Sequence, residues 1–407
     1  MASSLAVVTR NRDFRTLFVA ELVVFGSDWF VLVPLLVLLP ELTGSGAWGA
    51  LVLAADTGFI ALVLPYAGTV ADRIDRKKIM MVSNLVALVA VLLLLLVRTA
   101  GTAWIAVAVV GAVAVAKAFY SPAASAALPN VVDPEDLAAA NAIGGSAWGT
   151  MSVVGSSLGG VLSAAYGPYT CFWIAAAALA VAAVLAWRIR RPLQAPRESD
   201  AHPHAFAAVR ESLGYIRQHR PVLGLVTVKS AVGLGNGVLT VFPLLAGLYG
   251  VGAIGAGLLF AVRGLGALVG PLAMRPVLTR RAWLLPGLAI SMSVYGLAYL
   301  GVSLATWFPL VLALVFVAHL AGGTNWVMSS YALQAVVPDR LRGRVFATDL
   351  MLATLAISVS QLAVAAVVDS VDERVILASC ASVTLLYAVG WRIATRRLSL
   401  EGTAEVS

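Results

Sequence analysis

Eight ionisable side chains stand within long apolar stretches of this 407-residue chain: Glu21, Asp28, Asp56, Lys117, Lys229, Arg263, His319 and Asp349. At bilayer depth a charged group costs about 2.5–3.5 kcal/mol or more and normally faces a cavity or a partner. Glu21 and Asp28 are seven residues apart, which places them on one helix face about 10.5 Å apart along the axis. Two carboxylates on one such stripe can carry protons or meet a cationic substrate. Asp28 lies near the middle of its stretch, as a central site requires; a structural ion pair is the alternative. Lys117 is the expected partner for an acid of the first or second stretch, in charge balance or in gating. Arg263 is placed to pair across a cavity or to bind an anionic group. Lys229 and Asp349 lie nearer the cytoplasmic side and are expected to pair with each other. His319 reads either as a proton shuttle or as hydrogen-bonded structure. Trp29, Tyr120, Asn236, Asn325 and Trp326, with Phe119, Trp148 and Gln361, suit the wall of a cavity for an amphipathic, drug-sized ligand. Packing between helices is the default role for any one of them.

The elements that must position these groups follow from composition. The chain is 60% hydrophobic and 12% charged, whereas soluble domains carry about 25% charged residues. A water-soluble enzyme is excluded. Apolar stretches fall near 14–40, 47–70, 79–97, 102–128, 138–165, 168–187, 221–246, 251–274, 283–302, 307–332, 343–368 and 374–391. Each is long enough for a span of about 20 residues. Backbone polar groups must be satisfied within lipid, and the alternation expected of barrel strands is absent, so twelve transmembrane helices are expected. The charged residues leave the third, sixth, ninth and twelfth stretches empty.

With the N-terminus inside, cytoplasmic segments hold 23 of the 28 Lys and Arg residues, while external loops hold Arg98 and Arg374. That asymmetry puts both termini in the cytoplasm. It also accounts for the net charge of +8 without a nucleic-acid partner. Cys171 and Cys380 sit alone in apolar runs and make neither a disulfide framework nor a metal site. No removable signal peptide is read in Met1–Arg15. The chain divides into a first half (1–187), a cytoplasmic linker (188–220) and a second half (221–407). In the linker, Phe206, Val209, Leu213 and Ile216 follow helical spacing, which predicts an amphipathic helix at the membrane interface. His202, His204 and His219 are read as solvated loop residues, with a metal site as the lesser alternative.

The halves repeat. Residues 127–137 (ALPNVVDPEDL) resemble 332–341 (ALQAVVPDRL) after one deletion, and Gly68–Arg73 recurs as Gly270–Arg275 at almost the same offset. Two matches at one offset indicate a duplicated six-helix unit in parallel orientation. A short turn with Gly68, Asp72, Arg73 and Arg76 forces the second and third spans antiparallel, and its basic cluster sets orientation. Gly264, Gly266 and Gly270 are read as helix packing rather than a dinucleotide loop.

The run Gly68-Thr-Val-Ala-Asp72-Arg73-Ile-Asp-Arg76-Lys77-Lys78 resembles the signature loop of the major facilitator superfamily. Asn11–Arg15, Gly26–Trp29, Ser121–Ala123 through Asn141-Ala142, and Pro338–Arg344 are similar to its bacterial efflux branch, which exports siderophores, macrolides and other drug-like molecules. The resemblance implies an all-α fold of two six-helix halves with peripheral third, sixth, ninth and twelfth helices. It implies a cytoplasmic latch in which Asp72 meets the dipole of the eleventh helix; Met274 replaces the aspartate in the second copy. It departs at Gly155-Ser-Ser-Leu-Gly159-Gly160, where Ser156 stands in place of the proline of the exporter pattern.

The expected activity is secondary active transport: efflux of an amphipathic small molecule in exchange for protons, with no cofactor beyond the proton gradient and no enzymatic step. No nucleotide-binding or hydrolase motif occurs. An importer or lysolipid flippase of the same fold is the alternative, and a receptor or scaffold without flux ranks last. The expected setting is the bacterial cytoplasmic (inner) membrane, with lipid around a monomer.

Overall fold

The computed structural model describes residues 7–194, 205–274 and 281–398. Among these residues the regular structure is helical throughout, with no strand. The first six spans are α1 (Arg12–Thr43), α2 (Ala47–Arg73), α3 (Arg76–Leu93), α4 (Trp104–Val131), α5 (Leu137–Tyr166) and α6 (Pro168–Arg188). A linker helix, Ala205–Gln218, precedes α7 (Arg220–Leu248), α8 (Gly252–Ala273), α9 (Leu284–Leu304), α10 (Phe308–Val336), α11 (Asp339–Ala365) and α12 (Glu373–Thr395). Eleven of the twelve are long and apolar enough to cross a membrane. The other, α5, has 30 residues. Its glycines and serines dilute its hydropathy, and it packs against α1 and α8.

Local signals place the ends. Asn11 caps α1 by accepting the Phe14 N–H at 2.9 Å, and Gly44 closes that helix in the left-handed region at φ 68°. Asp75 caps α3 by accepting from Lys78 N–H at 3.1 Å. Short side chains at such positions satisfy backbone donors that a helix end leaves unpaired.

The two halves carry the same contact scheme, as their repeated sequence predicts. In the first, α1 packs on α5 and α6, α2 on α4, and α3 on α4 and α6. In the second, α7 packs on α11 and α12, α8 on α10, and α9 on α10 and α12. The halves meet along α2 with α11 and α5 with α8. Large apolar residues of α3, α6, α9 and α12 point outward, among them Val89, Trp187, Leu297 and Leu386. A lipid-facing position explains why these four helices lack ionisable residues at depth.

The α5–α8 seam depends on absent side chains. A Cβ on Gly160 would lie 2.7 Å from the Ala253 carbonyl oxygen, and one on Gly257 would lie 2.6 Å from that of Ser156. On the neighbouring face a Cβ on Gly159 would lie 2.9 Å from the Trp29 carbonyl oxygen. The glycine run of α5 thus serves close helix approach, with or without a proline at Ser156. Gly266 and Gly270 do the same between α8 and α10, against backbone of Phe316 and Leu320.

Span α7 is not a continuous α-helix. Its first segment ends at Gly235, a 3-10 segment covers Asn236–Val241, and an α-helix resumes over Phe242–Leu248. Ser360 of α11 causes the change of winding: its hydroxyl donates to Leu234 O at 2.5 Å and accepts from Gly237 N–H at 2.9 Å. A side chain inserted in the ladder is a recognised origin of such breaks.

The linker helix of the sequence pattern is present and docks on the transmembrane helices. It packs on α11, α7 and α2. Ser212 shares a 2.7 Å hydrogen bond with Thr348, Arg344 pairs with Glu211, and Ile216 is buried among Val222, Leu341 and Val345. Protein covers Ile216 on its apolar face, Leu213 is partly exposed, and the side chains of Phe206 and Val209 lie outside the described residues.

Candidate functional site

Lys117 stands at the middle of α4, about 20 Å along the helix from either end at 1.5 Å per residue. Its ammonium lies 3.2 Å from Asp28 Oδ2 on α1 and 3.2 Å from Asp56 Oδ1 on α2. The three side chains are 15–19% exposed. Three helices of the first half therefore converge on one cation and two acids. One ammonium balances one carboxylate; the second acid is balanced when a proton or a further cation arrives. In a low-dielectric site such an imbalance is expensive. Glu21, two turns nearer the cytoplasm on the same stripe, has no hydrogen bond or ion pair among the described residues and points near Gly144 of α5.

The second half holds a cavity of about 440 Å³ lined by Asn236, Arg263, His319 and Trp326, with Trp148 of α5 closing it from the other half. The 3-10 segment of α7 turns Asn236 toward this space. The Arg263 guanidinium lies 5.4 Å from the Trp148 ring centroid, a cation–π distance. Its Nε is buried without a hydrogen bond, and no carboxylate pairs with it among the described residues. His319 Nε2 and the Tyr299 hydroxyl share a 2.7 Å hydrogen bond, and Tyr295 meets the imidazole edge-on at 5.5 Å.

A second space of about 320 Å³ lies between the halves, bounded by Leu64 and Pro122 on one side and by Lys229, Trp326 and Asp349 on the other. Trp326 faces both spaces. Lys229 and Asp349 form an ion pair, each 2% exposed. Lys229 also donates to Ser330 at 3.0 Å and lies 5.0 Å from the Trp326 ring centroid.

On the external side the halves are joined. Asp369, just beyond α11, accepts from the Ser45 hydroxyl and from Gly46 N–H at 2.7 Å. Ser358 donates to Ala54 O at 3.0 Å, and the Thr57 hydroxyl donates to Gln361 Oε1 at 2.9 Å. The Trp29 and Phe260 rings meet at a tilt across the same seam, with centroids 5.5 Å apart.

Of the ionisable residues singled out by sequence, the structure unites Asp28, Asp56 and Lys117, and separately Arg263 with His319. It pairs Lys229 with Asp349 as expected. Among the proposed wall residues, Trp148, Asn236 and Trp326 line the cavity. Trp29 is 5% exposed within the cross-half seam, because the glycines of α5 make room for its ring. Tyr120 is 2% exposed in the core of the first half. Asn325 turns away and donates to Ser291 at 2.9 Å. Of the loop residues, the surroundings of Gly68 and the side chain of Asp72 lie outside what the structure describes. Arg73 ends α2. Arg76 is bound within its own half and the linker, donating to Ala126 O at 2.7 Å and Leu193 O at 3.0 Å, not to α11. His219 bonds Tyr215 O at 2.8 Å; His202 and His204 lie outside the described residues. Sequence reasoning missed Tyr295 and Tyr299, the polar neighbours of His319. The available signal is their spacing of four in a helix that carries no charge.

The family model of the Major Facilitator Superfamily matches residues 17–289. The multidrug efflux pump Tap of Mycolicibacterium fortuitum is 25% identical over 318 residues, covering 74% of this chain and 76% of that one. An uncharacterised MFS-type transporter of Mycobacterium tuberculosis is 25% identical over 315 residues, covering 70% and 68%. Among solved structures, an inward-facing bacterial homologue of the human lysosomal transporter Spinster superposes with TM-score 0.74 at 14% identity, over 95% of this chain and 97% of that one. An auto-inhibited POT family peptide transporter gives 0.73 at 14%, over 95% and 97%.

Proposed function

Because the chain belongs to the major facilitator superfamily, a family of membrane transporters, we propose that it exports an amphipathic small molecule in exchange for protons. It is a multi-pass protein of the bacterial cytoplasmic membrane. The observation that carries the coupling is the Lys117 site, where one ammonium meets two carboxylates, Asp28 and Asp56. Its unbalanced acid is met by a proton from outside and gives it up toward the cytoplasm. Two of the helices that hold the site, α2 and α4, also bound the space between the halves, so its charge state bears on how the halves rock. Export, rather than uptake, is supported by the similarity to a multidrug efflux pump.

In the arrangement described, Asp369 and the Trp29–Phe260 contact seal the external side, so the cavities load from the cytoplasm. Rocking of the halves about α2–α11 and α5–α8 would break those bonds and expose the same cavities outside. The proton gradient supplies the energy without a bound cofactor, and the substrate leaves chemically unchanged. In inverted membrane vesicles, imposing an acid interior should drive accumulation of an amphipathic substrate from a panel of anionic and cationic dyes, macrolides and siderophores, and an ionophore that collapses the gradient should release it. Accumulation in intact cells that the gradient drives inward would overturn export.

A further inference from the structure

The two halves carry opposite imbalances. The Asp28, Asp56 and Lys117 cluster has one acid in excess, while Lys229 is matched by Asp349. That leaves Arg263, near the middle of α8, as a mid-membrane cation with no acid beside it among the described residues. It lines a cavity of about 440 Å³ whose other named walls are Trp148, Trp326, Asn236 and His319. The guanidinium approaches the Trp148 ring at 5.4 Å, and its Nε is buried without an acceptor. A guanidinium remains charged under all ordinary conditions, so proton loss cannot relieve it. The cation–π contact compensates only part of its desolvation. His319 supplies no counter-charge and is committed to Tyr299 through Nε2.

We propose that Arg263 is an anion-recognition residue: the exported molecule carries an anionic group, such as a carboxylate or sulfonate, that docks on this guanidinium while its aromatic or aliphatic body lies between Trp148 and Trp326. Asn236, 6% exposed and turned inward at the 3-10 break, offers an amide to the same polar end. Arginine suits the task because its planar fork of donors matches the two oxygens of such a group. The two indoles in the lining select a flat or apolar body. This inference rests on the cavity being the transport site, and it specifies the charge of what enters.

The test is equilibrium binding to the purified full-length chain in detergent, with no proton gradient present. The probes are 1-naphthoate, 1-naphthalenesulfonate, an anionic lysolipid and 1-naphthylmethylammonium, scored by shift in melting temperature and by titration. The naphthyl anions should bind in preference to the cation. Arg263→Gln should weaken them about tenfold or more, and Arg263→Lys should recover part of the loss. Displacement of the naphthyl anions by the lysolipid, lost in Arg263→Gln, would assign the anion to a headgroup. The proposal fails if the cation binds as tightly as the anions, if no anion binds folded protein, or if Arg263→Gln leaves anion binding unchanged. Loss of proton coupling with Arg263-dependent anion binding intact would sink the antiport reading alone; loss of anion selectivity with coupling intact would sink only this one.

Discussion

Lys117 holds two carboxylates, so deleting its charge does more than remove an ion pair. In Lys117→Met, Asp28 and Asp56 are left facing each other without a cation. Breaking a buried pair costs about 3–5 kcal/mol, and a melting curve should show destabilisation of that order. The double variant Lys117→Met/Asp56→Asn should recover much of it by removing one of the stranded acids. A single variant as stable as the parent would mean that the ammonium is not what holds the acids. The position of this cluster was legible in the sequence, because a charge within an apolar stretch needs a partner and the first four spans offered few. Which wall residues would face the cavity was not legible. Trp29 and Tyr120 have the composition of a binding wall, yet their direction depends on which helix packs over them, and a single sequence does not state that. Asn325 and Asn236 look alike as intramembrane asparagines; a break in α7 aims one inward and Ser291 draws the other away.

At the scale of elements, the α5–α8 seam is held by glycines whose missing side chains let two backbones touch. Gly257→Leu would drive a side chain into the Ser156 carbonyl 2.6 Å away. It should abolish transport and lower stability by about 1–3 kcal/mol or more. Gly247→Leu, with nothing within 4 Å of the added Cβ, serves as the control and should melt within about 0.5 kcal/mol of the parent. Ser360→Val tests the break in α7. The variant leaves Gly237 N–H without an acceptor, which should cost about 1–3 kcal/mol and should slow transport by shifting Asn236. Unchanged transport in a folded variant would show that the 3-10 segment is incidental. The number, order and orientation of the helices were readable beforehand, since hydropathy and loop charge follow directly from lipid physics. The break in α7 was not, because it is imposed by a serine more than a hundred residues away. The docking of the linker helix was hidden for the same reason: an amphipathic stripe states that something apolar covers it, not whether that is lipid or α11.

For the whole molecule, the external seal and the mid-membrane charge cluster must work together if the halves alternate. Cysteines at Ser45 and Asp369, whose side chains touch across the seal, should form a disulfide on oxidation, and transport should stop until reductant is added. Transport by the fully cross-linked protein would mean that this contact need not open. The central claim concerns the protons themselves. In proteoliposomes with an imposed pH gradient, proton flux triggered by substrate is compared between the parent and Asp28→Asn, alongside gradient-free exchange of labelled substrate. The account predicts that Asp28→Asn loses the substrate-triggered proton flux while still exchanging substrate down its own gradient. Full proton flux in Asp28→Asn would contradict it and remove the Lys117 cluster from the coupling mechanism.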